Sequence, residues 1–114
     1  MILVTGGTGF IGSHLVEALI KREEKVRCLV RKTSNISNLE RLGVELVSGD
    51  LLDKESLEKA IREVSVVYHL AAAFPLLYFN KKIFQLVNVN GTRNLLEVSK
   101  GKNIERFIYF SSIA

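Results

Sequence analysis

The chain has 114 residues, room for one domain and no second, since independent domains commonly run to about 100 to 150 residues. With 47% hydrophobic and 25% charged residues it has an ordinary globular composition, which excludes extensive disorder and a fibrous repeat. The net charge of +4 would point to nucleic acid only if the cations formed a stripe. The densest cluster, Lys21-Arg22-Glu23-Glu24-Lys25, mixes signs and reads as a solvated helix end, so no nucleic-acid partner is expected.

No apolar run reaches the roughly 18 to 20 residues required to span a bilayer, and no basic segment precedes the short apolar stretch at the start. A soluble cytoplasmic product with no membrane partner is therefore expected. The single cysteine, Cys28, has no partner for an internal disulfide and sits in the apolar run VRCLV, where buried filler is the plainer reading than a reactive thiol.

In chain order, strand-like runs occur at Ile2 to Val4, Val26 to Val30, Val44 to Val47, Val64 to Leu70 and Phe107 to Phe110. They are continuous apolar runs rather than alternations, as expected of parallel strands covered by helices on both faces. Between the first two, Phe10 to Arg22 reads as a helix with Ile11, Leu15, Ala18 and Leu19 on its buried stripe. Asn35 to Leu42 reads as a loop leading into a short helix, and Ser56, Leu57, Ala60 and Ile61 mark another. From about Lys81 to Ser99 a longer helix places Phe84, Val87, Gly91, Leu95 and Val98 on one side, with Gly91 allowing close approach to the sheet. Five strands with a helix in each gap, joined by right-handed crossovers, predict an α/β fold: a doubly wound parallel sheet in the order 3-2-1-4-5. Residues 1–114 are all allotted to this one nucleotide-binding unit.

The first strand runs straight into Thr5-Gly6-Gly7-Thr8-Gly9-Phe10-Ile11-Gly12. Gly6 permits a tight turn out of the strand, Gly9 has no side chain where a pyrophosphate must approach backbone, and Gly12 lets the helix pack hard on the strand. The free N–H groups and positive dipole end of the helix then face phosphates. Placed between an apolar strand and an amphipathic helix, the glycines predict dinucleotide binding, with Gly6, Thr8, Gly9, Phe10, Ile11 and Gly12 at the cofactor.

A ribose 2′-hydroxyl is commonly held by an acidic residue at the end of the second strand. That place reads Leu29-Val30-Arg31-Lys32-Thr33-Ser34 and holds no carboxylate. The planar fork of Arg31 suits a phosphate and Lys32 adds a second charge, so the residues favour NADP(H), with NAD(H) as the alternative.

The run TGGTGFIG together with VELVSGDLLD at 44 to 53, YHLAA at 68 to 72, NVNGTRNLLE at 88 to 97 and RFIYFSS at 106 to 112 resembles the N-terminal part of an extended short-chain dehydrogenase/reductase. The branch that includes the dihydroflavonol-reductase-like enzymes is the nearest in pattern, because of the arginine after the second strand; the sugar-nucleotide epimerase/dehydratase branch is next. The resemblance implies a Rossmann-type fold and an NADP-dependent oxidoreductase acting on a small-molecule alcohol or ketone. It implies that Asp50 bonds the adenine amino group with Leu51 beside it, although Asp50 also reads as a turn residue. It places Leu70, Ala71 and Ala72 against the nicotinamide ribose, makes Ser112 the catalytic serine, and matches Asn88 to an asparagine that supports a proton relay. His69 and His14 read as structural. A homodimer surface including helix four belongs to the same pattern.

Three features depart from the family. The catalytic Tyr-x-x-x-Lys expected after Ser112 is absent; Tyr78 and Lys82 satisfy the letters but precede the serine and read as coincidence. The length therefore predicts a piece of a larger enzyme, inactive alone, with the substrate-binding part absent; a non-catalytic NADP-binding module is the competing reading. Glu23 and Glu63 stand where glycine is usual, so local differences in those two turns are expected.

Overall fold

The computed structural model describes residues 1–70, 82 and 86–110. Within them the chain forms β1 (Ile2–Thr5), α1 (Phe10–Lys21), β2 (Val26–Val30), α2 (Ser37–Leu42), β3 (Glu45–Ser48), α3 (Lys54–Ala60), β4 (Val66–His69), a π-helical turn at Leu86–Asn90 that runs into α4 (Gly91–Ser99), and β5 (Arg106–Tyr109). The five strands make one sheet in the order β3-β2-β1-β4-β5, and all four pairings are parallel. This is the predicted doubly wound Rossmann-type arrangement.

The continuous apolar runs are explained by two separate cores. β1 and β2 are buried along their whole length. Because successive strand residues point to opposite faces, Ile2 and Val4 join Val16, Leu19, Cys28 and Leu39 beneath α1 and α2. Leu3 goes the other way, to Leu57, Ile61, Val67, Leu95 and Val98 beneath α3 and α4. Strands in such a sheet have no solvent face on which polar residues could alternate.

Four expectations need correction. The buried stripe of α1 is Gly12, Val16 and Leu19, with Ile11 exposed, Leu15 half-buried and Ala18 exposed. The contact of Gly12 with the glycine turn sets the rotation of the helix, and residues 12, 16 and 19 share one face at the four and three spacing. The helix expected from Lys81 to Ser99 is α-helical only over Gly91–Ser99 in its described part, after the π-helical turn. Val87-Asn88-Val89-Asn90 alternates β-branched and asparagine residues, both weak at holding an α-helix. Phe84 and the side chain of Val87 lie outside what is described.

Gly91 closes on Leu51 rather than on the sheet: a Cβ there would lie 2.9 Å from the Leu51 Cβ. Finally, the turns at Glu23 and Glu63 keep the left-handed backbone that glycine would adopt, with φ of 62° and 63°. At the end of α1, Glu24 N–H donates to the Leu19 carbonyl at 3.1 Å and Glu23 N–H to the Ile20 carbonyl at 2.9 Å. These two bonds close the helix in the usual left-handed cap and hold Glu23 there.

Arg27, the second residue of β2, is only 8% exposed. Its Nη1 donates to the carbonyls of Ala60 and Arg62 at 2.7 Å each, and its Nε donates to Glu45 Oε2 at 3.0 Å. The guanidinium thus takes up carbonyls left over at the end of α3, where a cation also complements the helix dipole.

Candidate functional site

In an open parallel sheet the ligand crevice lies beyond the carboxyl ends of the strands, where the strand order reverses. Here that point falls between β1 and β4, whose last residues, Thr5 and His69, are direct partners in the ladder. Gly6 and Leu70 follow them, and both line a cleft of about 420 Å³ with Thr8, Gly9, Phe10, Ile11, Gly12 and Phe110. Six of the residues expected at the cofactor from the glycine segment are therefore gathered in one place, and Leu70 joins them from β4.

The cradle fits a pyrophosphate on steric grounds. Gly6 has φ of 78°, a conformation that costs an L side chain about 1 to 2 kcal/mol. A Cβ on Gly12 would stand 1.9 Å from the Gly6 carbonyl oxygen, so the third glycine serves the contact between α1 and the turn rather than one with the strand itself. The N-cap of α1 is Gly9, with no side-chain cap and no acidic residue in the first turn. Its first-turn N–H groups have no intrahelical acceptors, which leaves them for an anion. Phe10 and Ile11 are 81% and 62% exposed at the lip of this cleft, and the exposed ring of His14 packs edge-on against Phe10 at 4.8 Å. Beneath the loop the Cys28 Sγ would lie 3.2 Å from a Cβ on Gly7. Cys28 is fully buried, and burial pushes its thiol up to about 12, so it is packing and not a nucleophile.

A second cleft of about 400 Å³ lies beyond β2 and β3. It is lined by Arg31, Lys32, Thr33, Ser48, Gly49, Asp50, Asp53 and Ser56. Arg31 and Lys32 are exposed in a turn closed by Ser34 N–H donating to the Arg31 carbonyl at 3.0 Å and Arg31 N–H donating to Ser34 Oγ at 3.2 Å. Asp50 serves the turn after β3, its Oδ1 accepting from Leu52 N–H at 2.9 Å, and it also faces the cleft. The side chain of Leu51 is 7% exposed and packs in the α3–α4 core, while its carbonyl accepts from Asn94 Nδ2 at 2.9 Å. The two clefts carry opposite requirements, backbone donors in one and charged side chains in the other.

His69 is 1% exposed. Its Nδ1 is 2.6 Å from Thr5 Oγ1 and its Nε2 is 2.9 Å from Thr92 Oγ1 on α4. Burial lowers its pKa to about 4, so the ring is neutral, donating through one nitrogen and accepting through the other. The expectation of a satisfied structural histidine holds, but its bond to Thr92 was not visible in the sequence. Asn88 is half-buried in the π-helical turn, in a groove of about 460 Å³ with Val89, Thr92, Leu96 and Tyr109. Ala71, Ala72 and Ser112 lie outside the described residues, as does Tyr78. Among the described residues no cluster of His, Cys, Asp or Glu is placed to hold a metal. No described helix is long and apolar enough to cross a membrane.

Comparison with known proteins agrees with this geometry. A Synechocystis protein provisionally named dihydroflavonol 4-reductase is 40% identical over 97% of the chain and 32% of its own length. A solved short-chain dehydrogenase/reductase superfamily protein from Agrobacterium tumefaciens, with bound NAD, superposes at a TM-score of 0.82 with 36% identity, over 98% of this chain and 32% of that one. The UDP-glucose 4-epimerase of Thermotoga maritima, solved with UDP-glucose, gives a TM-score of 0.86 at 31% identity, over 97% and 37%. The chain thus spans about a third of the length of the relatives it matches. The family profile matches residues 2–114, and with the fold and the glycine cradle in agreement, the chain belongs to the NAD-dependent epimerase/dehydratase family.

Proposed function

We propose that the chain is the NADP(H)-holding portion of an oxidoreductase that acts on a small alcohol or ketone, its pyrophosphate cradle at Gly6–Gly12 and its adenosine end at the Arg31 cleft. The observation that carries this is the pairing of the two clefts along the carboxyl edge of the sheet: one lined by glycines and uncapped helix N–H groups, the other by Arg31 and Lys32. A dianionic 2′-phosphate suits a guanidinium fork with an ammonium beside it, whereas a ribose diol would leave both cations without a bound partner. Asp50, which lines the same cleft, is the acceptor for the adenine amino group. Leu70 lines the first cleft and is assigned, with Ala71 and Ala72, to the nicotinamide side, where the bound cofactor would supply the hydride acceptor or donor.

A nucleotide-sugar epimerase or dehydratase is the second reading; Arg31 speaks to the cofactor and not to the choice between the two. Ser112 and Asn88 are assigned to the substrate side.

Arg31→Asp tests the assignment. Replacing the fork by a carboxylate should weaken NADPH at least tenfold more than NADH, roughly the worth of one charge-assisted bond plus the new repulsion. An equal effect on the two cofactors would show that Arg31 does not read the 2′-phosphate.

A further inference from the structure

We propose that His69 is a positioning residue for the nicotinamide end of the cofactor, acting through Thr5 and Thr92 without touching it; the inference rests on the reading of the two clefts given above. A buried imidazole loses its hydration, and an apolar side chain of similar size would fill the same space without that cost. Here both nitrogens of the ring have a partner, and the network joins three elements: His69 ends β4, and its two partners are Thr5, which ends β1, and Thr92, in the first turn of α4. The ring is held flat against Tyr109, with centroids 5.4 Å apart and an interplanar angle of 27°, and edge-on to Phe107 at 6.3 Å. Rotation about its own bonds is therefore blocked by β5.

The link from ring to cleft is short. Leu70 N–H donates to both the Thr5 carbonyl and Thr5 Oγ1 at 3.1 Å each, and Thr5 Oγ1 is the atom bonded to His69 Nδ1. Gly6 and Leu70, the residues that flank the switch point in the cleft, are thus tied to each other through one hydroxyl whose place is set by the histidine. A neutral ring has one donor and one acceptor nitrogen, and each threonine hydroxyl can take either role, so the bonds to Thr92 and Thr5 are coupled and run in opposite senses. Satisfied networks of this kind specify one arrangement among several that an apolar contact would tolerate. Loss of the Thr92 bond leaves the ring anchored at Thr5 alone, and the Gly6 to Leu70 spacing loosens.

The adenosine end lies at the Arg31 cleft, which shares no lining residue with the cleft beside His69. A positioning role therefore affects one half of the dinucleotide, and a merely structural role affects both. The experiment is an equilibrium titration of the full chain with NADPH and, separately, with adenosine 2′-monophosphate, in wild type, Thr92→Val, Thr92→Ser and His69→Leu. The expected result is a Kd for NADPH raised about three- to tenfold in Thr92→Val and His69→Leu, the worth of about one hydrogen bond. Adenosine 2′-monophosphate should change less than twofold, and Thr92→Ser should restore the wild-type value. Unchanged NADPH affinity in Thr92→Val, or an equal loss for both ligands, would overturn the positioning role. Wild-type chain that binds neither ligand would overturn the reading of the clefts and this inference with it. If His69→Leu does not fold, the half-buried Thr92→Val and Thr92→Ser pair decides alone.

Discussion

The carbonyl oxygen of Gly6 lies where a Cβ on Gly12 would come within 1.9 Å of it. The clash is with backbone, so no rotamer change relieves it, and Gly12→Ala must push α1 away from the turn that forms the cradle. At Gly9 the nearest atom to an added Cβ is the same oxygen at 3.4 Å, an ordinary contact. The two alanine variants should therefore part company. Gly12→Ala should cost about 1 to 3 kcal/mol of stability together with NADPH binding, and Gly9→Ala should keep its stability but lose binding, because the methyl occupies the approach of the pyrophosphate. Thermal unfolding and NADPH titration of the two variants check this; a Gly9→Ala chain with wild-type affinity would place the phosphates elsewhere.

Arg27 should be among the most costly polar residues to replace. Its removal leaves the carbonyls of Ala60 and Arg62 without their donor in a nearly closed site. Arg27→Met, which keeps much of the aliphatic volume, is expected to lose about 2 to 4 kcal/mol in urea unfolding. Glu45→Gln, on the half-exposed side of the same ion pair, should lose less than about 1 kcal/mol. Equal losses would mean that the ion pair, and not the helix-end carbonyls, is what Arg27 serves.

Glu23 and Glu63 hold a left-handed backbone at φ of 62° and 63°. Glycine takes this region without strain but gives up more freedom on folding. The balance favours Glu23→Gly and Glu63→Gly by about 0.5 to 1 kcal/mol each, with additive gains, since the two turns close different helices. A rise in the unfolding midpoint of each variant is the expected outcome; a fall would show that the glutamate side chains contribute contacts that outweigh the strain.

Stability should also depend on pH through His69. Its folded pKa of about 4 lies below the unfolded 6.5, so the unfolded chain binds the extra proton first. The stabilisation is complete above about pH 6.5 and is lost progressively as pH falls towards 4, a span worth about 3 kcal/mol. Urea unfolding across that window should show wild type losing stability on acidification, and His69→Gln, less stable near pH 7, showing a shallower slope. Parallel slopes would assign the acid sensitivity to other groups.

The strand order and the glycine cradle could be read from the sequence because both depend on local pattern: unbroken apolar runs for strands buried on two faces, and glycines at fixed distance between a strand and a helix. What could not be read depends on partners far along the chain. Arg27 looks like a lapse in an apolar strand until α3 brings the Ala60 and Arg62 carbonyls to it. Likewise, the rotation of α1 follows from the Gly12 contact with Gly6, so Ile11, apolar in every pattern, ends at the lip of the cleft. Gly91 faces Leu51 because the loop after β3 runs under the start of α4, while Leu95 and Val98 further along pack on the sheet. The His69 bond to Thr92 joins residues 23 positions apart, and periodicity carries no record of it.

Two clefts on one sheet edge are proposed to hold one NADP(H). Fluorescence titration of the full chain with NADPH and NADH under identical salt tests this most directly. Saturable one-to-one binding of NADPH is expected, about tenfold or more tighter than NADH, from the added phosphate contacts of Arg31 and Lys32. NADH binding as tightly as NADPH, or no saturable binding of either, would contradict it.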